Sequence, residues 1–394
     1  MSNDPIVIVS ARRTAIGAFQ GQFGPVKSTD LGATAIRAAV ESAGVKGEDV
    51  NEVLMGCVLP AGLGQAPARQ AALAAGLPTG SGCVTVNKVC GSGMKTTMMA
   101  ADMISAGSAD IIVAGGMESM SNAPYLVPGA REGLRMGHKQ LIDHMFFDGL
   151  QNPYDGNMMG HFGEQCASKY NFTREDQDEF AIESVKRAMK ATESGAFADE
   201  IAPVTVKTRK SETVVATDEE PARCNIDKIP SLRPAFAKDG TVTAASSSSI
   251  SDGAAAVVLM RASEAAKRGL KPLAKIVGHA GHAHEPEWFT TAPVGAIANL
   301  FKKTGWKADE VDLYEINEAF AVVAMAAMAE HGLPHEKVNV NGGACALGHP
   351  IGATGARLIV TLLHALKQRG GKRGVASLCI GGGEATAIAL ELLD

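Results

Sequence analysis

Cys90 sits in the stretch Val86-Asn87-Lys88-Val89-Cys90-Gly91-Ser92-Gly93-Met94. The glycines suit a sharp turn from a strand into a helix, and Met94, Met98 and Ala101 then repeat at helical spacing. A cysteine at a helix start faces unpaired N–H groups and the positive end of the helix dipole, both of which favour thiolate. The expectation is therefore a lowered pKa and a usable nucleophile at neutral pH. A small buried cysteine beside a packing turn would leave the same local pattern. His349 lies between Gly348 and Pro350 in Asn341-Gly342-Gly343-Ala344-Cys345-Ala346-Leu347-Gly348-His349-Pro350-Ile351-Gly352. Backbone constraint ahead of a helix holds a ring as a general base must be held; a solvated turn histidine is the plainer alternative. Cys379 precedes Gly381-Gly382-Gly383, which leaves the Gly381 N–H free to face a substrate oxygen. A buried strand-end thiol would look the same. Asn317-Glu318-Ala319-Phe320 offers an Asn able to orient a water or a carbonyl, although an Asn-Glu pair also caps helices.

The elements that must position these groups are written twice. An apolar strand, Ile6 to Val9, leads to a helix with Ser28, Thr29 and Asp30 ahead of Leu31 and Gly44 as its stop, then to a strand from Val53 to Gly56. Ala35-Ile36, Gly44 and Val50 recur as Ala296-Ile297, Gly305 and Val311, each 261 positions later. Val86-Asn87 ends a strand before the Cys90 loop, and Val340-Asn341 is expected to end one before Gly342-Gly343. Ile111 to Ala114 runs into Gly115-Gly116 as Leu378 to Ile380 runs into the three glycines, which puts Glu118 level with Glu384. Such a repeat predicts two copies of one αβ unit. Each copy is expected to form a mostly parallel sheet with helices on it, and the two to pack about a pseudo-twofold with their inner helices buried. Between Ser121 and Ser248 the repeat stops. Polar turns, an amphipathic helix near Arg174–Thr192 and Lys207-Thr208-Arg209-Lys210 replace it, before Gly253 to Met260 supplies the counterpart of Ala385 to Leu390. The middle segment reads as an insertion, and long insertions on a rigid scaffold carry binding function.

Bulk composition narrows the classes. With 394 residues, 46% hydrophobic and 20% charged, the chain is globular and too long for one ordinary core. A net charge of −5 argues against nucleic acid as a partner. No apolar run of about 18 residues appears, so no membrane span is expected. Met1 to Ser10 shows no basic region followed by a long apolar stretch, so no signal peptide is expected and the cytoplasm is the expected location. Seven scattered cysteines with no CxxC pair point away from disulfides and structural zinc. His279, His282 and His284 with Glu285 lack defined helical spacing, and no metal is expected there.

Cys90-Gly-Ser-Gly, Asn317-Glu-Ala-Phe, Gly348-His349-Pro350 and Cys379-Ile-Gly-Gly-Gly, in this order on a duplicated scaffold, resemble the thiolase family. The resemblance covers essentially the whole chain and is strongest to the acetyl-CoA acetyltransferases. It implies an α/β fold of two duplicated core domains in a layered α-β-α-β-α sandwich with an inserted loop domain. The implied division is 1–121 plus 249–271, 122–248 and 272–394. It implies reversible Claisen chemistry with ping-pong kinetics, coenzyme A and its acyl thioesters being substrates and no cofactor being needed. By the same resemblance Cys90 is the acylated nucleophile, His349 its base, and Cys379 the acid/base at the α-carbon. Asn317 holds a water that forms one oxyanion hole with His349, and the N–H groups of Cys90 and Gly381 form the other. Ser248, Met159, Phe236 and Phe320 are expected to line the coenzyme A tunnel, and Arg223 to lie near its adenine or phosphates; as a bare charge Arg223 reads more readily as solvated surface. A homotetramer, a dimer of dimers, is implied, with residues 125–137 as the arm.

The chain departs from that pattern in places. Met158 stands before Met159-Gly160 where acetyl-specific members usually carry His, which permits longer or branched acyl groups. Ser246 replaces the usual Asn, and Glu384 follows the glycines where an apolar residue is usual; Glu384 is read as structural. A ketoacyl-synthase type of condensing enzyme would carry His in place of Asn317. A non-catalytic coenzyme A or lipid binder would not need Cys90, His349 and Cys379 together.

Overall fold

A computed structural model describes residues 4–393; residues 1–3 and 394, assigned above to the ends of the two core domains, lie outside the described residues. The first half runs β1 (Ile6–Thr14), α1 (Ser28–Ala43), β2 (Glu52–Gly56), α2 (Pro67–Ala74), β3 (Gly82–Val86), α3 (Ser92–Ala106) and β4 (Ile111–Ser119). An excursion containing α4 (Met159–Tyr170) and α5 (Arg174–Glu193) precedes β5 (Ser251–Arg261). The second half runs β6 (Ala274–Ala283), α6 (Ala292–Thr304), β7 (Leu313–Ile316), α7 (Ala321–His331), α8 (Ile351–Arg369), β8 (Arg373–Ile380) and β9 (Glu384–Leu392). Ser28 to Asp30 form the first turn of α1 rather than its cap. Gly44 and Gly305 close α1 and α6 in the left-handed conformation, as their spacing predicts.

The strands form one hydrogen-bonded ladder in the order β7-β8-β9-β6-β1-β5-β4-β2-β3. Its centre is the β6–β1 seam, where Val7 faces Lys275 and Ile8 faces Ala274. Outward from that seam both halves repeat the same pairings: antiparallel, antiparallel, then parallel. The expected duplication and pseudo-twofold are present. The expected mostly parallel sheets are not, because Gly381 to Gly383 is too short to cross over and must return β9 antiparallel to β8. Strands buried on both faces show unbroken apolar runs in either direction, so their pattern does not report orientation.

Two further expectations are corrected. No strand ends at Val340-Asn341; a single bridge from Tyr314 to Val338 takes its place. Asn339 has φ +49, and its side chain, not a ladder, bonds both the N–H and the C=O of Ile316, each at 2.8 Å. Nor are the glycines of the two copies equivalent. Val53 pairs with Val113 and Tyr314 with Val375, so the register sets Gly115 against Ser377, and Met117 against Cys379. Gly115 and Gly116 stay inside β4, where a Cβ on Gly116 would lie 2.0 Å from the Gly352 carbonyl oxygen.

Helices α1 and α2 cover one face of the first half, while α6, with α7 beside it, covers the second. Between the halves α3 packs on α8, which touches β5 and β4 on one side and β8 and β7 on the other. The layers therefore run α-β-α-β-α. Helix α8 is buried from Ile351 to Leu363, and each of its aliphatic side chains contributes about 1.5–3 kcal/mol by leaving water. The predicted amphipathic helix of the insertion is α5. The insertion also joins the core directly, since Ile201-Ala202 pairs with Arg13-Thr14 at the end of β1.

Candidate active site

The turn carrying Cys90 is bent by its own side chains. Asn87 Oδ1 accepts the Val89 N–H (2.9 Å), Ser92 Oγ accepts the Lys88 N–H (2.8 Å), and the Ser92 hydroxyl donates to the Val89 carbonyl (2.6 Å). They hold Val89, a β-branched residue, at φ +44, a conformation that costs about 1–3 kcal/mol. The strain sets Cys90 just ahead of α3. Gly91 brings the turn close to the end of β8, since a Cβ there would lie 2.4 Å from Ile380 Cδ1.

Two backbone N–H groups, those of Gly381 and of Cys90 itself, favour negative charge on the Cys90 sulfur. They do not lower its pKa overall. Cys90 keeps a little surface on a cavity but is otherwise enclosed, and burial pushes the thiol up to about 11, with the Glu118 charge adding to the rise. The expected thiolate at rest is thus corrected: withdrawing the sulfur from water outweighs what the helix start returns.

His349 is placed by Gly348, at φ +99, and by its own N–H, which donates to the Ser249 carbonyl (3.1 Å). Its Nδ1 lies 2.6 Å from Thr354 Oγ1, and that hydroxyl donates to the Pro350 carbonyl (2.9 Å). Thr354 must then accept, so the ring proton is assigned to Nδ1 and Nε2 is left as the base. Burial, reinforced by the Arg357 charge, pushes the imidazole down to about 3. The ring is neutral at rest.

Asn317 is fully buried, with Nδ2 3.4 Å from His349 Nε2. Its Oδ1 has no hydrogen-bond partner among the described residues. Cys379, also fully buried, packs with Phe162, Phe289 and Phe320. Burial raises its thiol well above the ordinary range, and Cys90 is near enough to add to that rise. A cavity of about 230 Å³ opens onto Cys90, His349 and Gly381 and runs out past Met158, Met159, Phe236, Ser248 and Phe320. Phe236 and Phe320 meet edge-on at 5.8 Å, and the Ser248 N–H donates to the Ala319 carbonyl (3.0 Å). The serine run thereby ties the insertion to the Asn317 motif.

Arg223 is not among the cavity residues. It lies on a short surface helix, over half exposed, with its guanidinium 3.2 Å from Glu219. Glu384 pairs with Lys88 across the Cys90 turn. His279 pairs with Asp102 (3.0 Å) and His284 with the Trp288 carbonyl (2.7 Å); no metal-binding group of His, Cys, Asp or Glu occurs among the described residues. Thr354 went unread in the sequence, and Glu118 was read only as the counterpart of Glu384. A hydroxyl five residues after His349, on the first turn of the next helix, was a usable signal; an acid inside the apolar run of β4 was another.

Residues 6–263 match the thiolase N-terminal domain and residues 270–392 the thiolase C-terminal domain. The chain is 50% identical to the acetyl-CoA acetyltransferase of Chromobacterium violaceum, over 98% of this chain and 99% of that one. It is 50% identical to the acetyl-CoA acetyltransferase of Schizosaccharomyces pombe, over 99% and 100%. A crystal structure of an Ascaris suum thiolase in complex with coenzyme A superimposes with a TM-score of 0.94 at 44% identity, covering 99% of this chain and 100% of that one. The Bacillus anthracis acetyl-CoA acetyltransferase gives 0.97 at 42% identity, covering 99% of each. Fold and site define an acyltransferase of the duplicated αβ class. The chain belongs to the thiolase family.

Proposed function

We propose that this chain is a thiolase of the acetyl-CoA acetyltransferase kind, interconverting two acetyl-CoA with acetoacetyl-CoA and coenzyme A through acyl-Cys90. Read in the cleavage direction, neutral His349 takes the Cys90 proton at Nε2, and the sulfur attacks the 3-keto carbon. The resulting oxyanion is held by the N–H groups of Cys90 and Gly381, each such donor being worth roughly 2.7–4 kcal/mol. As the carbon–carbon bond breaks, the thioester oxygen of the departing enolate is held by protonated His349 and a water on Asn317. Cys379, protonated at rest, gives its proton to the α-carbon and regains one from His349. Acetyl-CoA leaves, and coenzyme A enters and loses its thiol proton to His349. Its sulfur takes the acyl group, and His349 returns a proton to Cys90. Condensation is the reverse. The observation that carries this reading is one cavity that holds both a neutral imidazole, its Nδ1 protonated and its Nε2 facing only the Asn317 amide, and a thiol whose sulfur meets the Gly381 N–H.

Coenzyme A is proposed to lie along Met159, Phe236, Ser248 and Phe320, with loop domain 122–248 over the core domains 1–121 plus 249–271 and 272–394. Arg223, on the surface with Glu219 and outside the cavity, is proposed only for the outer adenine or phosphate end. No resident cofactor is required. The hairpin of Tyr125-Leu126 with Ile142-Asp143, whose tip exposes Met136 and Leu141, supports a tetramer-forming arm. The proposed location is the cytoplasm; among the described residues no helix is long and apolar enough to cross a membrane. Apolar Met158 at the cavity wall supports an acyl range beyond acetyl. A panel of 3-ketoacyl-CoA esters is expected to show cleavage of longer or branched members by the wild type and a narrowed range in Met158→His; an unchanged preference removes this refinement. For the main reading, acetoacetyl-CoA absorbance must fall on adding coenzyme A with the wild type and stay level with Cys90→Ser. Normal turnover by that variant contradicts it.

A further inference from the structure

Glu118 ends the apolar run of β4 and is wholly buried, yet its hydrogen bonds come from backbone N–H groups and one thiol rather than from a cation. Oε2 accepts from Val58 (2.9 Å) and Gly352 (2.8 Å), and Oε1 from Leu59 (3.2 Å), with Cys57 Sγ at 3.7 Å. Both oxygens face donors, the arrangement that fits the ionised form. Cys57 to Leu59 lead out of β2, in the half that carries Cys90. Gly352 is in the first turn of α8, three residues past His349, in the other half. The halves meet here without slack: a Cβ on Gly352 would lie 2.5 Å from Glu118 Oε2. A carboxylate at the start of a 19-residue helix is also stabilised by the helix dipole. We propose that Glu118 is a positioning residue for acyl transfer, its carboxylate locking the His349 loop in register with the half that carries the Cys90 turn. This rests on the roles given to Cys90 and His349 above. Burial lifts Glu118 to about 7 against the pull of its N–H donors, and its charge contributes to the raised Cys90 thiol.

Two substitutions separate charge from reach. Glu118→Gln keeps the shape, loses the charge and turns an amide N–H₂ toward donors; Glu118→Asp keeps the charge and falls short. Both are expected to leave KM for acetoacetyl-CoA nearly unchanged and to lower kcat, by about a hundredfold if the loop shifts by 1 Å. Wild-type kcat in Glu118→Gln overturns the proposal, as does a loss that falls on KM with kcat unchanged. Should that variant not fold, Gly352→Ala, which pushes a methyl into the same carboxylate, must lower kcat at unchanged KM; wild-type kcat there also overturns it. Wild-type enzyme that turns over after Cys90 is alkylated would instead remove the reading of Cys90 itself, a separate outcome.

Discussion

Thr354 decides which nitrogen of His349 is left unprotonated, since its hydroxyl is already spent on the Pro350 carbonyl and accepts from Nδ1. Thr354→Val should leave the ring free to rotate or change tautomer and lower kcat by about a hundredfold. Thr354→Ser should restore most of it, and nitrogen chemical shifts of the imidazole should report the tautomer in each; unchanged shifts and kcat in the valine variant would exclude this role. The same ring bears on stability. His349 is held at about 3 in the folded chain against 6.5 for the free side chain. Between these values the unfolded chain binds the extra proton, so stability is full above 6.5 and is lost as pH falls toward 3. Tm should therefore drop more steeply on acidification for the wild type than for His349→Asn; equal slopes would contradict the buried neutral ring. Cys90 and His349 were legible because glycines and proline announce constrained turns around them. The protonation of Cys90 was not, because a helix start is a local feature and burial is a property of the whole fold. The surroundings of Glu118 were not legible for a similar reason: its donors come from segments far apart in the chain.

At the scale of elements, the active site depends on how closely α3 approaches α8. A Cβ on Gly93 would lie 2.8 Å from the Ala356 nitrogen, and one on Gly355 2.3 Å from the Met94 nitrogen. Backbone cannot step aside as a flexible side chain can. Gly355→Ala should cost about 1–3 kcal/mol in urea unfolding and reduce turnover as well, since it separates the helices that carry the Cys90 and His349 turns. Wild-type stability would show that the crossing has slack. The helices and their glycine stops could be read from periodicity, as Gly44 and Gly305 illustrate. Strand direction could not, because β5, β8 and β9 are buried on both faces and carry no alternation. The missing strand near Val340 was hidden by Asn339, whose side chain replaces the ladder that the apolar pattern beside it predicts.

For the whole molecule, duplication explains why chemistry sits at the centre. One copy brings Cys90 and Glu118, the other brings His349, Asn317 and Cys379, and α3 packed on α8 joins them. The insertion was visible as the place where the repeat stops; its attachment to β1 through Ile201-Ala202 was not, being a two-residue pairing without a pattern. All of this converges on one covalent event. Acid-quenched enzyme, mixed with acetyl-CoA and digested, should yield a Cys90 peptide carrying one acetyl group, which disappears when coenzyme A is added before the quench. An enzyme that consumes acetoacetyl-CoA at full rate with the acetyl group on another residue, or on none, would contradict the account.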